Sequence, residues 1–158
     1  MLHIRRFIPT DAVAVAQVVA TTLRTTNRQD YTEAYIEHDI QVLTPTFFLE
    51  KAQQTHFYVV CDATQIVGTG AIGSYWGSVT EFSLFDIFVL PTYQGRGIGR
   101  LIITTLEQDT YFHRAKRVEI PASITALGFY QKMGYQFKAG HNHVDDEQLY
   151  RLEKFPQS

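Results

Sequence analysis

The sequence of 158 residues has a single cysteine, Cys61, so no disulfide can close within the chain and a reducing compartment is the default expectation. Proline is scarce, and no apolar run approaches the roughly 18 residues of a membrane-spanning helix. A basic excess is also missing. Fourteen Lys and Arg face sixteen Asp and Glu, for a net charge of −2. That balance argues against coating a nucleic-acid backbone and leaves room only for a local basic pocket. There are no internal repeats, low-complexity tracts or linker-like segments. Arg5 and Arg6 before the small apolar run at residues 12–20 imitate a secretory leader. Pro9, Thr10 and Asp11 interrupt the pattern, and Gln17 sits within the run, so a strand followed by a helix is the plainer reading. The expectation is one cytoplasmic domain over residues 1–158, with neither nucleic acid nor membrane as partner.

Apolar residues make up 45% of the chain and charged ones 19%, which excludes disorder and supplies one core. Residues 2–8 read as a strand, followed by a helix over 11–25 with Thr10 or Asp11 as N-cap. A second helix over 31–42 is stopped by Thr44-Pro45, and residues 47–52 allow one or two further turns. Strands follow at 56–61, 65–72 and 82–90. A glycine-rich stretch then opens a helix with Ile98, Leu101, Ile102, Thr105 and Leu106 on one side. Residues 117–120 form a short strand, and Ser123 caps a helix that ends at Gly134. Closing strands lie at 135–138 and 148–153. Only residues 82–120 make a strand-helix-strand crossover. The fold class is therefore mixed α/β: a mostly antiparallel sheet with one parallel pair, flanked by about four helices.

Three stretches invite a chemical reading. Gly68, Gly70 and Gly73 match the dinucleotide fingerprint G-x-G-x-x-G, with Asp86 eighteen positions after Gly68. The fingerprint needs a helix after its third glycine. Ser74-Tyr75-Trp76-Gly77 is hairpin material instead, so a glycine-thinned strand with a bulge or close backbone approach is expected. His141 and His143 beside Asp145, Asp146 and Glu147 offer metal-ligand types, but the stretch reads as a solvated loop, and no metal is expected. The third stretch, Gly95, Gly97 and Gly99 with Arg96 and Arg100, lies where a buried strand turns into an amphipathic helix. Free amides of the first helical turn, the positive end of the helix and two arginines make an anion site there. It is not a P-loop, because the lysine and hydroxyl residue of that motif are missing. The plain alternative is a flexible connector.

Residues 86–100, with Gln94, Gly97 and Gly99 as Q-x-x-G-x-G, resemble the acetyl-CoA signature of the GCN5-related N-acetyltransferases. Residues 123–135 resemble that family's N-x-x-A-x-x-F-Y-x-x-x-G-F element, with Ser123 where many members carry asparagine. The resemblance implies acetyl transfer from acetyl-CoA directly to an amine, small-molecule or peptide. It places the pyrophosphate on Gln94, Gly95, Arg96, Gly97, Ile98, Gly99 and Arg100, and the pantetheine arm along Phe88 and Val89 and against Ser123. The strand is expected to splay there from its parallel neighbour. An amide near Val89 would meet the developing oxyanion. Tyr130 matches the tyrosine that protonates the departing thiolate; its plain alternative is a core aromatic. Asp86 and Glu81 are the candidate bases, each equally readable as a strand-end charge. Ser83 stands where histone-acetylating members place a glutamate. Asp30, Tyr31, Trp76 and Asp86, with Arg28 nearby, are the expected acceptor-binding group, suited to a cationic amine. A homodimer is compatible with the resemblance. The rival reading is a non-catalytic module of the same fold that binds CoA or a protein.

Overall fold

The computed structural model describes residues 1–156; Gln157 and Ser158, the end of the expected domain, lie outside the described residues. Strand β1 (Leu2–Arg6) precedes three helices, α1 (Ala12–Thr25), α2 (Glu33–Val42) and α3 (Pro45–Gln54). Strands β2 (Thr55–Asp62), β3 (Gln65–Ser74) and β4 (Glu81–Val89) follow. Helices α4 (Ile98–Glu107) and α5 (Thr110–Arg114) lead to β5 (Arg117–Ala122). Helix α6 (Leu127–Lys132) and strands β6 (Gln136–Phe137) and β7 (Tyr150–Lys154) complete the chain. The seven strands form one sheet in the order β1-β2-β3-β4-β5-β7-β6. Every neighbouring pair is antiparallel except β4 and β5, the arrangement that a single crossover requires.

Two apolar layers sandwich the sheet. Ile98, Ile102 and Leu106 recur every four residues and turn one face of α4 onto Val67, Ile72 and Leu84. On the opposite face Val15, Val19 and Phe48, from α1 and α3, pack on Phe57, Val59 and Ala71. Strand β3 lies between both layers, so its eight inner positions are all buried. Its glycines are spacers. A Cβ at Gly70 would come within 2.5 Å of Ile102 Cγ2, and one at Gly68 within 3.2 Å of Ile98 Cγ2. These two glycines admit α4, while Gly73 makes room for Thr55, and no helix follows it.

Six α-helices replace the four or so expected. Thr44 accepts from the Phe47 amide with Pro45 behind it, which turns a predicted scrap into the ten-residue α3. Asp109 similarly caps α5 through the Tyr111 amide. By contrast, α6 begins at Leu127, later than Ser123. The Ser123 hydroxyl accepts from Ala126 N, while Ile124 N donates to Tyr31 Oη and Thr125 Oγ1 to Asp30. These bonds to other segments hold residues 123–126 as a turn. Among the described residues no helix is long and apolar enough to cross a membrane.

Candidate active site

Strands β4 and β5 pair only over Glu81–Arg117, Phe82–Val118 and Ser83–Glu119. Beyond Ser83 they part, for a reason visible in β4. Its register with β3 runs Ala71 to Phe85 and then Thr69 to Phe88, which leaves one extra residue in β4. Asp86 absorbs it in the left-handed region, with φ of 54°, and Thr69 Oγ1 clamps its carbonyl at 2.7 Å. Such a bulge bends a strand away from its neighbour and re-aims its side chains. Phe85 and Phe88 now meet the α1/α3 layer, while Ile87 and Val89 meet the α4 layer.

A cavity of about 730 Å³ occupies the gap. Its floor is residues 84–89 of β4, and its far wall is Ile120, Pro121, Ser123, Phe129 and Tyr130. The turn into α4 contributes Gln94, Gly95, Gly97, Gly99 and Arg100 to its lining, and Tyr31, Tyr35, Asp39 and Glu147 contribute from α2, the residues before it and the loop before β7. Gly95 and Gly97 both have φ of 78°, and no heavy atom lies within 4 Å of where a Cβ would stand on either. Gly99 has a different task, because its Cβ would sit 3.1 Å from Phe129 Cζ. Among the described residues, none of the six N–H groups from Gly95 to Arg100 donates within the chain. They are unspent donors at the positive end of α4. Gln94 fixes the turn, its Nε2 donating to Thr26 Oγ1 at 2.9 Å. Ile98 is buried and anchors the first turn of the helix.

Strand alternation orients Val89. Leu90 N donates to Val67 O, and Val89 lies opposite Gly68 in the non-hydrogen-bonded register. The Val89 amide group therefore faces away from β3. Tyr130 is 6% exposed and lines the cavity. No hydrogen bond engages its hydroxyl among the described residues, and burial holds its pKa well above the ordinary tyrosine value. The phenol therefore stays protonated across the physiological range. Asp86 Oδ2 is sealed from solvent with no hydrogen-bond partner. Burial pushes that carboxyl up to about 6 against the opposing pull of Lys51, whose Nζ stacks 3.6 Å from the Phe85 ring centroid.

The cavity thus unites Tyr130, Asp86, Phe88, Val89, Gln94, Gly95, Gly97, Ile98, Gly99, Arg100, Ser123 and Tyr31. Four expected site residues lie outside its lining. Glu81 is at the start of β4, ion-paired to Arg117 at 2.8 Å. Arg96 is exposed, its guanidinium over the Tyr93 ring at 4.7 Å. Asp30 accepts from Thr125 Oγ1 and so braces the rim. Trp76, 90% exposed, occupies the β3–β4 hairpin tip. His141 and His143 fall in the loop before β7, rings 5.7 Å apart, and among the described residues no cluster of three or more His, Cys, Asp or Glu is placed to hold a metal ion.

The model of the acetyltransferase (GNAT) domain matches residues 53–137, more than half of the chain. The chain belongs to this family. Among solved structures it is similar to the PaiA N-acetyltransferase of Thermoplasma acidophilum in complex with coenzyme A. There the TM-score is 0.84 at 16% identity, over 98% of this chain and 99% of that one. A GCN5-related N-acetyltransferase from Rhodopseudomonas palustris gives a TM-score of 0.80 at 21% identity, over 97% and 94%. A Brucella melitensis GNAT acetyltransferase in complex with acetyl-CoA gives 0.66 at 22% identity, over 86% and 83%. At these identities the likeness is one of fold. A search of curated proteins finds no match.

Within this GNAT fold the cavity lining contains residues that the motifs did not point to, among them Tyr35, Asp39, Glu147 and Leu149. Tyr35 and Asp39 are four apart on α2 and share a face, a spacing legible in the sequence. Glu147 reaches the wall because the Tyr35 and Tyr31 hydroxyls donate to the carbonyls of Glu147 and Gln148, at 2.6 and 2.8 Å. No local pattern reports a tether across more than a hundred residues.

Proposed function

We propose that this chain transfers the acetyl group of acetyl-CoA to a primary amine by direct attack. The observation that carries the proposal is the run of six unspent amides at the mouth of the cavity opened by the bulge in β4. Two similar structures, crystallised with coenzyme A and acetyl-CoA, support the choice of donor.

The residues fit that donor. The amides of residues 95–100 and the Arg100 guanidinium hold an anionic pyrophosphate, because unspent N–H groups at a helix N-terminus favour negative charge. Gly95 and Gly97 keep the approach open. Acetyl-CoA supplies an acyl group activated as a thioester. The outward amide of Val89 is placed for negative charge developing on the acyl oxygen. Asp86 takes a proton from the incoming ammonium, which frees the nitrogen lone pair; a carboxylate with pKa near 6 is ionised at neutral pH yet basic enough for the task. The pairing of Glu81 with Arg117, outside the cavity lining, supports Asp86 over Glu81 as the base. Tyr130 holds its proton at Oη for the departing sulfur. The phenol and a thiolate in the same apolar cavity are both raised by desolvation, so burial does not by itself oppose the transfer.

The test is incubation with acetyl-CoA and a panel of amines and peptides, reading free thiol and the acetylated product by mass spectrometry. The proposal predicts both in equal amounts. Tight CoA binding without product on any amine contradicts it and supports a non-catalytic binding module.

A further inference from the structure

Outside the cavity, the buried and half-buried carboxylates among the described residues are matched. Asp11 meets Arg5, Asp109 meets His56 and Tyr58, Glu119 meets Arg117 and Lys138, and Asp145 meets Arg151. The cavity breaks that pattern twice. Asp86 keeps a buried oxygen without a donor. The carboxylate of Asp39, half-buried on α2 and lining the same cavity, has neither a hydrogen bond nor an ion pair among the described residues. Its charged surroundings are His38 beside it on α2 and the like-charged Glu147 from the loop before β7. Glu147 already holds Arg151 at 2.8 Å. The one Lys or Arg among the cavity's lining residues, Arg100, belongs to the glycine turn.

Two unmatched carboxylates in one cavity carry a desolvation cost that no hydrogen bond or ion pair among the described residues offsets. They are distinct anionic positions, Asp86 on the bulge of β4 and Asp39 on α2; burial raises both carboxyls, with Lys51 opposing it at Asp86 and His38 opposing it at Asp39. Beside Asp39, the Tyr31 and Tyr35 rings stack at 4.6 Å and add π-faces that favour a cation. Both hydroxyls are bound to loop carbonyls, so the rings are held in place.

We propose that the acceptor is dicationic: its reacting amine reaches Asp86, while a second ammonium or guanidinium group is held by Asp39 against the Tyr31–Tyr35 wall. This rests on the acetyl-transfer reading above and makes Asp39 a specificity-determining residue. A monoamine fills only one of the two anionic positions. A diamine of suitable length fills both.

The test compares α,ω-diaminoalkanes with n-alkylamines of the same chain length, on wild type, Asp39→Asn and Asp39→Glu. Wild type is expected to prefer the best diamine by about 10- to 100-fold in kcat/KM, the range of a partly desolvated charge pair. Asp39→Asn should remove most of that preference through KM, and Asp39→Glu should restore part of it. Calorimetric titration of the same diamine into the CoA-loaded protein reads the site without turnover and should show the same ranking. Equal kcat/KM for monoamines and diamines in wild type overturns the proposal while leaving acetyl transfer standing. So does diamine binding that Asp39→Asn leaves unchanged. Absence of turnover on every amine, with diamine binding still dependent on Asp39, instead counts against acetyl transfer alone.

Discussion

At the scale of single residues, Asp86 combines strain, burial and chemistry. Its left-handed backbone makes the bulge, and the residue lines the cavity that the bulge opens. Burial raises its carboxyl to about 6, so kcat/KM should climb as pH rises through about 6 and level off above. Asp86→Asn should abolish that limb along with most activity. Lys51→Met removes a positive neighbour and should move the limb to higher pH. A pH–rate profile of the three proteins checks both. Stability carries the opposite sign. The native state binds the Asp86 proton more tightly than the unfolded chain, so this contribution is full below about pH 4 and is lost as pH rises through about 6. Ionising the group inside the fold costs about 3 kcal/mol at neutral pH. Asp86→Asn should therefore melt higher than wild type at neutral pH and much closer to it near pH 4, as read by thermal denaturation. Tyr130→Phe keeps the ring and deletes the proton. A fall in kcat of roughly 10²- to 10⁴-fold with unchanged CoA affinity is expected; wild-type kcat would return Tyr130 to the status of a core aromatic. Tyr130 was legible as a candidate through its motif, whereas the unpartnered state of Asp39 depends on which neighbours the fold supplies.

At the scale of elements, each segment's local pattern fixed its type better than its reach. The strand-turn-helix at residues 82–107 was readable because buried β-branched and aromatic residues, three glycines and a four-residue apolar stripe agree with one another. The bulge was not. Its cause is a register change against β3, whereas the sequence suggested a bulge or a close backbone approach in the glycine-thinned β3. The close approach is what Gly68 and Gly70 provide, toward α4. Gly70→Ala should therefore lower stability by about 1–3 kcal/mol through overpacking against Ile102, measurable as a lower denaturant midpoint at unchanged m-value. The short β4–β5 pairing has its own support. Glu119, buried on β5, lies within 3.0 Å of Arg117 and 2.9 Å of Lys138, while Arg117 also holds Glu81 and Glu153. This network spans β4, β5, β7 and the segment after β6, where β4 and β5 still touch. Glu119→Gln leaves cations without their shared partner and should cost about 3–5 kcal/mol. A variant as stable as wild type would show that backbone pairing alone holds the strands.

At the scale of the whole molecule, the order of strands and the single crossover were legible because they follow from element sequence and connection rules. The acceptor wall was less so. The side chains of Asp30, Arg96 and Trp76 were expected in the site from residue type and place in the chain, yet they brace the rim, stack on Tyr93 or project from a hairpin tip. Tyr31, Tyr35 and Asp39 form that wall together with Glu147, brought from the far end of the chain. The central claim is that the splay between β4 and β5, entered over the turn at residues 95–99, is where acetyl-CoA binds. Calorimetric titration of acetyl-CoA and of NAD into wild type, Gly97→Val and Gly70→Val tests it most directly. Acetyl-CoA should bind wild type and the folded fraction of Gly97→Val should lose it, because a branched side chain at φ of 78° distorts the turn and blocks the approach to its amides. Folded Gly70→Val, altered on the α4 face of β3, should retain it, and NAD should bind none of them. Equal loss of acetyl-CoA in the two folded variants, or binding of NAD in place of acetyl-CoA, would contradict the account.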